Sequence, residues 1–126
     1  MKNKRLRFVL LEHQRNTNDI HFDLLLEEEI NCKTFRLNEN IFKTLKSQGE
    51  EIPPHRKHYL KFEGAIEKNR GSVRRINEGS YSTLEQNKNS SSWQLFLNTS
   101  SGNLMITWKV DSQILATWNP ASSNSS

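Results

Sequence analysis

His21 and Asp23 stand two residues apart in a run of alternating character, Ile20-His21-Phe22-Asp23-Leu24-Leu25-Leu26-Glu27. In an extended strand, residues i and i+2 project to one face, so this imidazole and this carboxylate converge on one point. A helix would set them about 200° apart around its axis. His13 closes the preceding apolar run, Phe8-Val9-Leu10-Leu11, and a hairpin-like return brings it alongside. Two histidines and one carboxylate form an open coordination set with positions left for water and substrate. Hard N/O ligands suit manganese, iron or zinc, and composition does not choose among them. The same three side chains can also form a hydrogen-bonded cluster that needs no metal, and spacing alone leaves both readings open.

His55 follows Pro53-Pro54, a stiff approach that can hold it in place. A histidine beside a bound phosphate can donate a hydrogen bond, or a proton to a leaving oxygen; His58 reads as an exposed loop residue. From His55 to Arg75 the chain carries Arg56, Lys57, Lys61, Lys68, Arg70, Arg74 and Arg75 against Glu63 and Glu67, with Lys2, Lys4, Arg5 and Arg7 at the start. Gathered on one face, these make a footprint for a phosphate backbone, with binding that weakens steeply in salt. An ordinary solvated surface accounts for the same charges. Gly64 and Gly71 bracket Lys68-Asn69-Arg70, a candidate phosphate clamp. Tyr59, Tyr81, Trp93, Trp108 and Trp118 could stack bases, but at strand spacing such aromatics belong more often to a core. No serine sits in a nucleophile elbow, and the five glycines stand too far apart for a P-loop or dinucleotide fingerprint. Cys32 is alone, which excludes an intramolecular disulfide and a thiolate metal cluster.

The elements that must position these groups read as strands. The chain has 126 residues, of which 33% are hydrophobic, and a net charge of +4; this fits one domain with a modest core and leaves room for a polyanionic partner. Strands are expected at Phe8–Leu11, Ile20–Leu26, Ile30–Leu37, His58–Ala65, Ser72–Ile76, Ser80–Leu84, Trp93–Leu97, Leu104–Val110 and Gln113–Trp118. The Ile20–Leu26 strand should be half-buried. Glu39–Ser47 could form a short helix stopped by Gly49, Pro53-Pro54 should exclude regular structure, and Glu78-Gly79 should be a turn. Close-spaced short strands point to an all-β fold, a compact small β-barrel of seven or eight strands with one short helix. Residues 1–119 would form the domain and 120–126 a disordered tail. With no apolar run near the length of a membrane helix and no signal-peptide core, the expectation is a cytoplasmic monomer with no membrane partner.

Two blocks of this sequence resemble the 3′-phosphoesterase domain of DNA ligase D. The first runs from Arg7-Phe8-Val9 and His13 through His21-Phe22-Asp23 to Glu27; the second is His55-x-x-x-Tyr59-x-x-Phe62-Glu63-Gly64, followed by Gly71-Ser72-Val73 and Glu78-Gly79-Ser80-Tyr81. Coverage is about residues 5–110, and the chain is more similar still to short stand-alone ligase D-like proteins. The resemblance implies a β-barrel with a crevice on one side. It also implies a DNA-repair activity, the manganese-dependent removal of a 3′-ribonucleotide and then a 3′-phosphate from DNA ends, with zinc or another divalent metal as an alternative cofactor. It makes His13, His21 and Asp23 the metal ligands, with His13 and Asp23 thereby catalytic, and His55 the group that contacts the phosphate and assists transfer. Arg56, Lys68, Arg70, Arg74 and Arg75 would hold the DNA strand, and any ligase or polymerase partner would be a separate protein.

The departures from that family bear on activity. Leu25 stands where such domains usually carry a phosphate-holding arginine, and losing a guanidinium clamp costs several kcal/mol unless another cation substitutes; Arg74, Arg70 and Lys33 are the cations in reserve. Arg15 to Asp19 must bulge to hold two extra residues, Phe35 replaces a tryptophan, and the glycine-rich insertion after Gly64 is shortened. The alternative reading is a non-catalytic nucleic-acid-binding module that lost hydrolysis with the arginine. An unrelated metal-stabilised domain is a third.

Overall fold

The computed structural model describes residues 6–66, 70–83, 93–109 and 111–121. Nine strands run β1 (Leu6–Asn16), β2 (Asp19–Glu27), β3 (Cys32–Leu37), β4 (Lys46–His55), β5 (Gly64–Ala65), β6 (Ser72–Thr83), β7 (Trp93–Thr99), β8 (Gly102–Trp108) and β9 (Gln113–Pro120). They form one sheet in the order β1-β2-β3-β4-β9-β8-β7-β6-β5, with β1 also paired to β6, and every pairing is antiparallel. The all-β expectation stands, but the small barrel of seven or eight strands is corrected. The sheet has nine strands, and its apolar side chains do not fill a single interior. They divide into two clusters, one built on Phe8, Leu10, Leu24 and Leu26, the other on Val9, Leu11, Leu25 and Cys32.

That division follows from the alternation of β1 and β2. Even-numbered residues of both strands join the larger cluster with Phe35, Leu37, Leu95, Leu104 and Ile106. Odd-numbered residues turn to the smaller one, closed by Leu60 and Val73 and flanked by Tyr59, Phe62 and Ile66. The expected half-buried β2 is therefore corrected: from Asp23 to Leu26 it is buried on both faces. Strands covered on both sides read as continuous apolar runs, which accounts for the unbroken Leu24-Leu25-Leu26.

Four other expectations fail for local reasons. The helix shrinks to α1 (Ile41–Thr44), capped by the Asn40 side chain on the Phe42 N–H and ended by Leu45 at φ 60°. Lys46 to Gln48 are taken instead by pairing with β9. Pro53 and Pro54 lie inside β4 because register shifts between Cys32 and Thr34, so that two prolines oppose one lysine, Lys33; Pro is tolerated at such bulges. His58–Ala65 is not a strand but a 3-10 helix, Lys57–Leu60, followed by the two-residue β5. Glu78-Gly79 is not a turn: β6 runs through it, and a Cβ at Gly79 would strike the Asn98 carbonyl oxygen. No helix among the described residues is long and apolar enough to cross a membrane. Pro120 lies in β9, and residues 122–126 are outside the described ones.

Candidate metal centre

The β1–β2 hairpin turns at Thr17-Asn18, where the Asn18 N–H donates to the Asn16 side chain over 2.9 Å. Its register shifts between Gln14 and Asn16, which makes Arg15 the bulged residue and absorbs the long connection. Beyond that bulge His13 lies directly opposite His21, and Leu11 opposite Asp23. His13, His21 and Asp23 therefore share one face of one hairpin, their positions set by backbone pairing.

The three side chains meet. His13 Nδ1 lies 2.9 Å from His21 Nε2, and the rings cross edge to face at 4.6 Å. Asp23 Oδ2 is 3.8 Å from His13 Nδ1 and Oδ1 is 3.7 Å from His21 Nε2. All three ligand atoms fall within 4.8 Å of one another. His55 joins from β4, its Nε2 3.7 Å from Asp23 Oδ2, and Arg36 joins from β3, its Nε donating to Asp23 Oδ1 over a long 3.5 Å. The Asp23 carboxylate is thus almost fully buried, 2% exposed, among four nitrogen-bearing groups, and holds only that one hydrogen bond among the described residues. Burial pushes the His21 pKa down; Asp23 opposes the shift, while Arg36 and His13 add to it. The His55 pKa is likewise lowered by burial, against the pull of Asp23 and a hydrogen bond to the Pro53 backbone.

Proton accounting shows that the cluster suits a cation. His13 Nε2 sits 2.9 Å from the Arg70 carbonyl, which can only accept, so that nitrogen carries the proton and Nδ1 turns a lone pair inward. Gly71 makes this approach possible: at φ 93° it lies against the Gln14 backbone, where a Cβ would collide. With no ion, the His13–His21 contact needs the His21 proton on Nε2. The Nδ1 lone pair of His21 then faces the Asp19 carboxylate, 3.9 Å away, an acceptor against an anion. A cation removes that conflict, because both inward nitrogens then act as lone-pair donors and the neutral His21 ring can carry its proton on Nδ1, toward Asp19. A carboxylate behind a ligating histidine is the usual orienting partner, and the N···N and N···O separations are of the order that ligands about 2.1 Å from one ion adopt. The His13/His21/Asp23 cluster is capable of chelating a metal ion.

Two clefts reach the cluster. One, of about 410 Å³, is lined by His13, Asp23, His55, Arg56, Tyr59 and Arg70. The other, of about 470 Å³, is lined by Arg15, Asp19, His21, Arg36, Gln48 and Glu50 among others. Of the basic residues expected at the phosphate, Arg56 and Arg70 line the first cleft. Arg74 is drawn to Glu12, with Nη2 2.9 Å from Oε1, and Glu12 belongs to the even-numbered side of β1, away from His13. Arg75 donates to the Leu60 carbonyl and pairs with Glu78. Lys68 lies outside the described residues, as do Lys2, Lys4 and Arg5. Lys33 places its Nζ 5.9 Å from the Phe35 ring centroid, on the face opposite Asp23. His58 is exposed and packs against Tyr59 and Phe62.

Sequence reasoning missed Arg36 and Asp19. The signal for Arg36 was present: a hairpin turn over Glu28–Asn31 pairs Glu27 with Cys32 and hence Asp23 with Arg36. No protein-family model matches the chain and no curated protein matches it. The comparisons therefore give no support to ligase D membership, a DNA-repair role or a cytoplasmic location.

Proposed function

We propose that this protein is a metal-dependent phosphoesterase acting on 3′-phosphate or 3′-ribonucleotide ends of DNA, with manganese as the working cation. The observation that carries the reading is the convergence of His13, His21 and His55 on the buried Asp23 carboxylate beside a cleft walled by Arg56 and Arg70. The resemblance of the two sequence blocks to ligase D 3′-phosphoesterase domains names the substrate. When bound, a divalent cation would neutralise phosphoryl oxygens and lower the pKa of a coordinated water. His13, His21 and Asp23 would hold it; Asp19 and the Arg70 carbonyl fix the two imidazoles behind them. His55, about one-quarter exposed at the cleft wall, hydrogen-bonds a phosphate oxygen and passes a proton to the leaving oxygen as its bond to phosphorus breaks, the attacking water supplying a proton in return. Arg56 and Arg70 hold the strand by its phosphates.

Incubation with manganese and a primer ending in a 3′-phosphate or a 3′-ribonucleotide tests this. The expected result is product that disappears with chelator and with Asp23→Asn; processing no greater than that of Asp23→Asn would sink the proposal. One observation favours a second reading, a non-catalytic nucleic-acid binder: Leu25 is fully buried and offers no donor to the site. That reading calls for DNA binding that falls with salt, survives chelation and yields no product.

A further inference from the structure

Arg36 enters the site by register. It lies directly across from Asp23 on the neighbouring antiparallel strand, and residues so paired project to the same face. Its side chain is one-third exposed and meets Asp23 through Nε alone. A guanidinium carries five N–H donors in a planar fork, so both Nη groups are left without a partner among the described residues. Arg36 borders the second cleft together with His21, Arg15 and Asp19.

Leu25 is sealed in the smaller apolar cluster, Lys33 lies on the opposite face over Phe35, Arg74 is engaged by Glu12 and Arg75 by Glu78. The carboxylates of Asp19 and Glu50 border the same cleft. Arg15 lies 3.5 Å from Asp19, which offsets one of them. An arginine anchored through Nε on a buried carboxylate at the border of a cleft, with both Nη groups unused among the described residues, is a preorganised receptor for a phosphate, whose oxygens accept from such a fork.

We infer that Arg36 is a catalytic residue that clamps the non-bridging oxygens of the phosphate bound at the His13/His21/Asp23 centre, holding them through its Nη groups while Nε stays on Asp23. The inference rests on the phosphoesterase reading for its substrate, but the clamp itself requires only that a phosphate bind there. Arg36 forms no covalent bond and transfers no proton; it fixes and neutralises the anion.

The test uses the full chain with Arg36→Gln and Arg36→Lys, each checked for wild-type secondary structure by circular dichroism. Manganese affinity is measured by calorimetry, inorganic phosphate binding to the manganese-loaded protein by the same method, and turnover on a 3′-phosphate primer by gel. The expected result for Arg36→Gln is phosphate affinity at least 10-fold weaker and kcat at least 100-fold lower, with manganese affinity within threefold of wild type or tighter. Arg36→Lys should recover part of the phosphate affinity. Unchanged phosphate binding in Arg36→Gln would overturn the clamp. So would a loss of manganese affinity that matches the loss of phosphate binding, since Arg36 would then only position Asp23. A wild-type protein that binds phosphate through Arg36 yet turns over no primer would refute the phosphoesterase reading and leave the clamp standing.

Discussion

Replacing Leu25 with arginine, the residue that the resembling ligase D domains usually carry at that place, should unfold this protein. Leu25 is 0% exposed and belongs to the cluster of Val9, Leu11, Cys32, Leu60 and Val73. Losing the buried leucine forfeits about 1.5–3 kcal/mol of apolar burial. Placing a guanidinium there adds an effective desolvation cost of several kcal/mol, because the walls are apolar. The sum is at least about 5 kcal/mol, against a total of about 5–15 kcal/mol for a typical domain. The nearest carboxylates on that face are already engaged: Asp23 by Arg36, and Glu27 by the Arg7 N–H and Lys57.

Urea denaturation followed by tryptophan fluorescence reads the effect directly. Leu25→Met, a swap of nearly equal volume, should cost less than about 1.5 kcal/mol and serves as the control. Leu25→Ala should cost about 2–5 kcal/mol through the cavity it leaves, and Leu25→Arg more than Leu25→Ala. At this size each kcal/mol is worth about 3–5 °C in melting temperature, so Leu25→Ala should melt about 6–25 °C lower. A Leu25→Arg protein that unfolds within about 1 kcal/mol of wild type would refute the reasoning, because position 25 would then have a route to solvent and β2 would not be covered on both faces. If it also gained turnover, the missing clamp would be at Leu25 after all, and Arg36 would lose its role.

Asp19→Asn should weaken manganese binding about 10–100-fold, the usual cost of losing a carboxylate behind a ligating histidine, without moving the melting temperature of the metal-free chain by more than about 3 °C; calorimetry and thermal melts check both halves. Because His21 and His55 have pKa values held below the ordinary 6.5, the unfolded chain binds more protons than the native one just below that pH. Their contribution to stability is complete above about pH 6.5 and is lost as pH falls toward their native values; urea midpoints from pH 8 to pH 5 should therefore decline, and a flat profile would contradict the burial of these rings. Cys32 shows the opposite sign: burial lifts its thiol from 9.0 to about 11, so stability present below pH 9 is lost as pH rises to 11, by about 3 kcal/mol. Cys32→Ala should abolish that part of the alkaline decline, and the native thiol should resist modifying reagents at pH 8.

The sequence was most legible where side-chain alternation and backbone pairing agree. Period two across Ile20–Glu27 placed His21 and Asp23 on one face, and the bulge needed between Arg15 and Asp19 occurs at Arg15. Legibility failed where tertiary pairing overrode a local signal. Gly79 reads as a turn residue, yet β6 continues through it because only a glycine fits against the Asn98 carbonyl. Pro53-Pro54 reads as a break, yet a bulge opposite Lys33 accommodates both. His58–Ala65 has strand composition, but Tyr59, Leu60 and Phe62 serve as a lid on the smaller apolar cluster. The division of the core could not be read at all, since one strand's pattern does not say whether its second face meets water or more protein.

That division is what gives the site its chemistry. The odd-numbered face of β1 and β2 carries Val9, Leu11 and Leu25 at one end and His13, His21 and Asp23 at the other, so the donor cluster is continuous with a dry apolar wall. Charges in such surroundings interact more strongly than in water, and an unsatisfied lone pair there is correspondingly costly. A solvated strand face would let water satisfy Asp23 and the two inward imidazole nitrogens, leaving little reason to prefer a cation. Here the hairpin fixes His13 against His21, β3 fixes Arg36 against Asp23, and β4 brings His55 to the same carboxylate. Each group is held by strand register rather than by a loop, the condition under which donors stay positioned before a ligand arrives. Leu25 supports this arrangement: by sealing the face below Asp23 it keeps the carboxylate away from water.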